Sequence, residues 1–126
     1  MAREQLQTLT EPIYYILLTL TEECCGVDIM EKVRRLSGGR VTVGPGTLYA
    51  MLGRFEEKGI IRLTASEGRR KSHVITDEGL SELRKEYDRL QRMVEDGKFW
   101  LVTNWQHAEM KSIKIVKKVN KHPDFV

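Results

Sequence analysis

Apolar residues recur at helical spacing over residues 46–57. An α-helix places residues three and four apart on one face, so this spacing predicts a helix with one buried flank. The apolar members of that flank are Leu48, Met51, Leu52 and Phe55. The opposite side of the helix has few large side chains and carries Tyr49 and Arg54 near its edges. Gly59 predicts the helix end, because glycine readily adopts the left-handed conformation after a last turn.

Two further helices are predicted ahead of this one. Thr10, followed by an acidic residue and a proline, is typical of a helix N-terminus. The helix that follows is apolar on more than one side, which indicates two packing neighbours. After the break at Gly26, a second helix is predicted from about Val27 to Leu36. Its inward positions are expected to be Ile29, Met30, Val33 and Leu36. Residues 40–43 are a short β-prone segment before the turn into the third helix.

Two strands are predicted after Gly59. Residues 61–65 alternate between apolar and polar positions, residues 66–68 are typical of a turn, and residues 74–75 belong to a returning strand. The tip and return of this hairpin carry three basic residues, Arg69, Arg70 and Lys71. Three helices followed by a basic hairpin form the winged helix-turn-helix arrangement, in which the hairpin is the wing.

A long helix is predicted after the hairpin, with Thr76 as its cap and Gly97 as its end. Its apolar residues are separated alternately by three and four positions, which is a heptad seam. Two heptads are too short for an independent coiled coil, so we expect them to join the first helix in a dimer interface. The residues predicted for that interface are Ile13, Leu17, Leu80, Leu83, Tyr87, Leu90 and Val94.

The last part of the chain is less regular. The apolar run at residues 99–102 is expected to be buried. Residues 103–106 have the spacing of a capping box, which predicts a final short helix from about Asn104 to Asn120. We therefore expect residues 1–76 to form the winged helix-turn-helix domain. Residues 77–126 would supply a dimerisation helix and a basic tail, and the whole would be one compact unit.

Four short motifs together resemble the PadR-like family of transcriptional regulators. The resemblance covers roughly residues 10–95, and its motifs are Gly26–Ile29, Gly46–Tyr49 with Arg54, Glu56 and Gly59–Ile61, Gly68–Lys71, and Ile75–Gly79. The sequence departs from the family at Phe55, where leucine is usual, and at Ser72-His73, where an aromatic pair is common. The resemblance implies a mostly helical α+β fold and a winged helix-turn-helix that binds double-stranded DNA as a dimer.

The third helix and the wing supply the expected DNA contacts: Thr47, Tyr49, Arg54, Arg69, Arg70 and Lys71. Each has a plainer interpretation. The basic run could be a solvated turn, and Tyr49 could be a core residue. Thr47 could cap the helix instead of, or as well as, contacting a phosphate. Arg54 could pair with Glu57 or Glu31 rather than reach a base or a phosphate.

The charge distribution restricts where nucleic acid could bind. The net charge is +3, but residues 1–103 contain 16 basic and 16 acidic residues, which cancel. The excess comes from residues 104–126, which carry five lysines and two acidic residues. DNA binding would therefore depend on local clusters rather than on a uniformly basic surface. The lysines near the C-terminus could be a solvated helix face, or could contact DNA backbone or an acidic partner.

No catalytic or cofactor motif is present in the sequence, so we expect neither an enzyme nor a bound cofactor. The adjacent Cys24 and Cys25 are interpreted as reduced thiols packed at a helix end, with a redox switch as the alternative. The histidines and cysteines lack metal-ligand spacing. No apolar run approaches the roughly 20 residues of a membrane span, and no signal peptide opens the chain, so we expect a cytoplasmic protein.

Two functions remain. The first is a dimeric repressor that binds a pseudo-palindromic promoter and that a flat aromatic or hydrophobic effector could release. The aromatic residues that could line an effector pocket are Tyr14, Tyr15, Tyr87, Trp100 and Trp105, although the tryptophans could instead be core or interface residues. The second is a winged-helix module for protein–protein contact that does not bind DNA. The basic wing and an exposed Tyr49 favour the first.

Overall fold

The computed structural model describes the backbone of residues 9–109 and the side chains of residues 9–103. The elements in chain order are α1 Glu11–Thr19, β1 Cys24–Cys25, α2 Gly26–Leu36, α3 Pro45–Glu57, β2 Ile61–Glu67, β3 Arg70–Ile75 and α4 Asp77–Glu109. This is a mostly helical winged-helix fold with a small antiparallel sheet, as predicted. The contacts divide the chain into two compact units, Met1–Glu86 and Tyr87–Val126. None of the described helices is both long enough and apolar enough to cross a membrane.

The core of the first unit is built by α1, α2, α3 and the start of β2. Thr10 caps α1, since its hydroxyl accepts the backbone N–H of Ile13 at 3.4 Å. The fully buried side chains are Ile16, Leu17, Leu20, Ile29, Val33, Leu48 and Ile61. The prediction that Leu36 faces inward is wrong, because this residue ends α2 with 57% of its surface exposed. Because Leu36 is the last residue of α2, no later turn of the helix covers its side chain.

The sheet contains a strand that the sequence pattern did not predict. β1 pairs antiparallel with β3, Cys24 opposite His73 and Cys25 opposite Ser72, so the strand order is β1-β3-β2. The cysteines therefore lie in a strand that the sequence did not indicate, and Cys25 is also the N-cap of α2, so the expected position at a helix end holds for Cys25. A strand of two residues is too short to show a period of two, so only its pairing with a segment about 50 residues away defines it.

Residues 40–43, which the sequence marks as a β-prone segment, form no strand. The hydroxyl of Ser37 accepts the N–H of Val41 at 3.0 Å and donates to the carbonyl oxygen of Val41 at 3.2 Å. One side chain thus satisfies both backbone groups of the buried Val41. Because those groups already have partners, this segment gains no ladder bonds by joining the sheet and remains a loop.

α4 begins as predicted but does not end at Gly97. The hydroxyl of Thr76 accepts the N–H of Gly79 at 3.0 Å, which is the expected cap. The helix then continues for 33 residues, about 50 Å. An interior glycine costs a helix only about 1 kcal/mol relative to alanine, which a long uninterrupted helix tolerates.

Two other predictions for this region are also wrong. The apolar run at residues 99–102 is exposed, with Phe99 at 67% and Trp100 at 61%. Residues 103–106 lie inside α4, so no capping box begins a new helix there. The part of the predicted final helix beyond Glu109 lies outside the described residues.

Gly79 is required by the contact between α4 and the chain before the wing. An added Cβ would lie 2.2 Å from the carbonyl oxygen of Ile60, and the same oxygen accepts hydrogen bonds from the N–H and the hydroxyl of Thr76. Gly79→Ala should therefore push the first turn of α4 away from this carbonyl and lower the free energy of unfolding by about 1–3 kcal/mol.

Gly97→Ala is the matched control, because among the described residues no atom outside the adjoining helix backbone and the two chain neighbours lies within 4 Å of its added Cβ. This second substitution should raise stability by up to about 1 kcal/mol. Thermal unfolding followed by circular dichroism at one fixed protein concentration measures both changes. Equal midpoints for the two variants would contradict the close approach at Gly79.

Candidate nucleic-acid interface

α3 carries its buried flank as predicted and presents its opposite side to solvent. Leu48, Leu52 and Phe55 are buried, and Met51 packs against the same core. The helix begins at Pro45, whose fixed φ suits the first helical position, with Gly44 as N-cap. Thr47 is therefore an exposed residue of the first turn, and the alternative that it caps the helix is wrong, whereas its predicted DNA contact stays a prediction.

Tyr49 lies on the open side of α3, 52% exposed, and is not a core residue. Its ring rests against the backbone of Gly26, the first residue of α2: a Cβ added to Gly26 would lie 2.7 Å from the phenol oxygen and 2.8 Å from Cε1. The absence of a side chain at Gly26 thus fixes where the tyrosine ring can lie. This is a physical reason for the glycine in the second-helix motif.

The wing, residues 61–75, brings basic side chains to the same side as Tyr49. Gly68 has φ +60° and forms the hairpin tip, a conformation that favours glycine. Arg69 and Lys71 line a groove of about 350 Å³ together with residues of α3. We call this the wing groove; its lining residues are Tyr49, Leu52, Gly53, Glu56, Arg69, Lys71 and His73.

The three basic residues of the wing do not act as one cluster. Successive side chains of a strand point to opposite faces, so Lys71 and His73 share one face of β3 while Arg70 lies on the other. Arg70 is exposed and is not among the residues of the wing groove. None of the three forms an ion pair with another residue of the described part of the chain. Arg69 and Lys71 therefore line the groove without a direct ion pair, although the Glu56 carboxylate lines the same groove.

Arg54 is exposed on α3 and stands apart from the wing groove. The alternative that it pairs with Glu31 is wrong, because Glu31 pairs with Arg34 at 2.7 Å on α2. Among the described side chains, none forms an ion pair with Arg54. Its guanidinium is available to solvent or to a ligand.

His73 and Glu56 form a contact that the sequence analysis missed. The imidazole Nε2 lies 3.2 Å from a carboxylate oxygen of Glu56, joining the middle strand of the sheet to the last turn of α3. His73 is only 5% exposed, whereas the Glu56 side chain is about half exposed. The period-two spacing of Lys71, His73 and Ile75 was a signal that His73 faces the helix, but nothing in the sequence indicated its partner.

The aromatic residues predicted for an effector pocket belong to both units. In the first unit, Tyr14 and Tyr15 pack edge to face with ring centroids 6.0 Å apart, and the hydroxyl of Tyr15 accepts a hydrogen bond from Arg40 at 2.9 Å. In the second unit, Tyr87 and Trp100 are exposed. The side chain of Trp105 lies outside the described side chains. The effector pocket stays a prediction.

The residues predicted for a dimer interface divide into two groups. Leu17 and Leu83 are buried in the core of the chain itself and are not open to a partner. Ile13 and Leu90 are partly buried, and Leu80, Tyr87 and Val94 are exposed. Within the second unit, Tyr87, Leu90 and Val94 recur at heptad spacing and continue to the exposed Leu101. An apolar stripe therefore runs along the second half of α4.

Both cysteines are buried as free thiols. Burial raises the pKa of the Cys24 thiol, and the nearby Lys32 only partly opposes this effect. The Sγ of Cys25 donates to a carboxylate oxygen of Asp28 at 3.4 Å. These surroundings disfavour a reactive thiolate at Cys24. Within the described residues, no group of three His, Cys, Asp or Glu side chains could hold a metal ion.

Comparison with known proteins gives one consistent result. The sequence profile of the transcriptional regulator PadR-like family matches residues 16–85, more than half of the chain. No curated protein matches the sequence.

Several solved structures share the fold. The PcaV regulator of Streptomyces coelicolor has a TM-score of 0.61 at 21% identity, over 95% of this chain and 90% of that chain. A PadR-like regulator from Bacillus cereus has a TM-score of 0.60 at 23% sequence identity, and the match covers 78% of this chain and 96% of that chain. A PadR-like transcription factor from Bacteroides fragilis has a TM-score of 0.56 at 27% sequence identity, and the match covers 66% of this chain and 82% of that chain. This protein belongs to the PadR-like family of transcriptional regulators.

Proposed function

We propose that this DNA-binding regulator is a dimeric repressor that reads promoter DNA with α3 and holds the duplex with its wing. The observation that carries the proposal is the wing groove, where the phenol of Tyr49 faces the same space as the unpaired charges of Arg69 and Lys71. A hydroxyl on a helix can reach base edges or phosphates, and arginine and lysine bind phosphate oxygens. Family membership makes the chain a transcriptional regulator rather than an enzyme.

The charge balance supports local rather than diffuse binding. Basic and acidic residues cancel over residues 1–103, so DNA affinity in this region must come from places where cations stand without acidic partners. In the described part of the chain, the basic residues that form no ion pair include Arg54, Arg69, Arg70 and Lys71. Thr47, exposed in the first turn of α3, adds a hydroxyl close to the helix N-terminus, which favours phosphate.

A mobility-shift titration on the protein's own promoter region, at two salt concentrations, tests the proposal. We expect specific binding that weakens steeply as salt increases, because phosphate contacts release counterions. A reporter placed behind the same promoter should be expressed more strongly when the protein is absent. Absence of DNA binding at low salt would contradict the proposal and favour a protein–protein module.

Displacing Tyr49 should weaken DNA binding with little effect on stability. Gly26→Ala places a methyl group against the tyrosine ring, and the flexible outer end of the side chain can swing away at low cost. We expect each subunit to lose about 1 kcal/mol of binding free energy, as for Tyr49→Phe, which removes one hydrogen bond. With both subunits of the proposed dimer affected, DNA affinity should fall by about 30-fold.

The double variant, Gly26→Ala with Tyr49→Phe, should be little worse than either single variant, because both changes remove the same contact. Fluorescence anisotropy with labelled promoter DNA measures the affinity, and the thermal midpoint reports folding. Strictly additive losses would show that Tyr49 and Gly26 act independently.

Dimerisation is supported by the apolar stripe on the second half of α4. Tyr87, Val94 and Leu101 are exposed in the single chain at positions that repeat every seven residues. Water contact with such a stripe is unfavourable, and a second copy of the same helix would cover it symmetrically. Two DNA-binding units would then enter successive major-groove turns about 34–36 Å apart.

Release by a flat aromatic or hydrophobic effector remains a proposal supported by the exposed Tyr87 and Trp100. A ligand that changes how the two subunits pack would change the spacing of their recognition helices and weaken DNA binding reciprocally. Tryptophan fluorescence titrated with planar aromatic compounds, in parallel with DNA release, tests this idea. If no compound both quenches the tryptophans and releases DNA, a constitutive repressor is the better description.

A further inference from the structure

We propose that the His73–Glu56 contact is a latch that fixes the wing against α3, so that both residues are positioning residues for the DNA contacts of Arg69 and Lys71. This inference rests on the DNA-contact surface proposed above. The latch is not itself a DNA contact, because His73 is almost fully buried.

His73 lies where the wing leaves the three-stranded part of the sheet, so a contact of its side chain can set the direction of the wing. His73 pairs with Leu63 on one side and with Cys24 on the other. Immediately beyond this row the register shifts: Ala65 pairs with Ser72, so Thr64 is an extra residue and forms a β-bulge. One row past the bulge, Cys25 of β1 still pairs with Ser72; beyond Ser72 only the two wing strands remain paired. His73 is thus the last buried side chain before the wing projects from the sheet.

The chemistry of the imidazole favours a contact role over a packing role. Glu56 accepts at its carboxylate, so Nε2 carries the hydrogen of this bond. Nδ1 is buried and has no hydrogen-bond partner among the described residues. An apolar side chain would fill this place without an unsatisfied nitrogen. The bond to Glu56 is what histidine provides and an apolar residue would not.

Glu56 gives the latch a second effect. Its carboxylate lines the wing groove beside Arg69 and Lys71 and would repel DNA phosphates there. The bond to His73 holds this carboxylate toward the sheet. Loss of the imidazole would therefore loosen the wing and also leave a mobile negative charge among the cations.

Glu56→Ala and Glu56→Gln separate the bond from the charge. Both remove the negative charge, but the glutamine Oε1 can still accept from Nε2. Because the Glu56 side chain is half exposed, neither variant endangers folding. We expect promoter affinity to be about fivefold to tenfold lower for Glu56→Ala than for Glu56→Gln. Glu57→Ala and Glu57→Gln, at the neighbouring exposed residue outside the groove, should not differ from each other.

His73→Phe tests the other end of the latch, since it keeps a ring but cannot bond Glu56. In this background Glu56→Ala should cause no further loss of DNA affinity. Lys71→Ala should lower DNA affinity less than it does in the wild type, because a loose wing no longer holds Lys71 in position for its phosphate contact. His73→Gln, whose amide can donate to Glu56, should recover part of the loss. Full additivity of His73→Phe with both alanine changes would overturn the latch.

Hydrogen exchange on the free protein provides a readout that does not depend on DNA. The amides of Glu67 and Arg70, which lie beyond the bulge and form the hydrogen-bonded pair that closes the hairpin, should exchange about fivefold faster in Glu56→Ala than in Glu56→Gln. Unchanged exchange in every variant would refute the latch even if the protein binds DNA as proposed. Faster wing exchange in a protein that does not bind the promoter would instead keep the latch and refute the proposed function.

Discussion

Replacing Val94 with aspartate is expected to convert the proposed dimer into monomers and to weaken promoter binding by about 10²–10⁴-fold. Val94 is 64% exposed in the single chain and lies in the middle of the apolar stripe on α4. A carboxylate there would be buried without a partner at a symmetric interface, and the two-fold axis would place it there twice. Sedimentation velocity measures the mass, and anisotropy measures the affinity.

Two further variants make this result specific. Arg92→Asp changes the charge by more than Val94→Asp, but Arg92 lies on the side of the heptad away from the stripe, so the dimer should persist. Leu83→Asp should unfold the chain rather than dissociate it, because Leu83 belongs to the core. A folded, fully dimeric Val94→Asp protein would show that the second half of α4 does not form the interface.

Replacing both Arg69 and Lys71 with alanine is expected to weaken binding by about 10²–10³-fold at moderate salt, on all DNA sequences alike. Each lost phosphate contact reduces the slope of log affinity against log salt by roughly one unit, so a dimer with two wings should lose about four units. Arg70→Ala should cost less than Lys71→Ala, because Arg70 lies on the other face of β3. Titrations at three or more salt concentrations give both quantities.

The matched control is the pair Arg84→Ala and Arg92→Ala, which removes the same charge from exposed positions on α4 that form no ion pair among the described residues. This variant should leave the salt slope almost unchanged, and neither double variant should shift the thermal midpoint appreciably. If the wing variant changed the preferred sequence while keeping the wild-type salt slope, Arg69 and Lys71 would read bases instead of holding phosphates.

Much of the first unit could be predicted from the sequence because its signals are local. The spacing of Leu48, Leu52 and Phe55 predicted the buried flank of α3, and the structure confirms it. Gly59 with φ +75° ends that helix as expected. Thr76 caps α4 as predicted. In each case the determining interaction joins residues within one or two turns, so the pattern is visible along the chain.

Other features depend on residues that are far apart in the sequence. β1 exists only because Cys24 and Cys25 meet β3, and Glu56 acquires its role only when His73 reaches α3. Burial on a periodic helix is also decided by tertiary contacts. Leu83 and Val94 belong to the same heptad seam, yet the first is buried in the core and the second is exposed.

The sequence by itself determined that this protein has three helices, a basic hairpin and a long helix, because periodicity, caps and turn glycines are properties of neighbouring residues. Only the tertiary structure decided which basic side chains share a groove with Tyr49 and which half of the seam stays open. Those outcomes depend on which surfaces meet, and the same apolar spacing is compatible with a core, an interface or an exposed stripe.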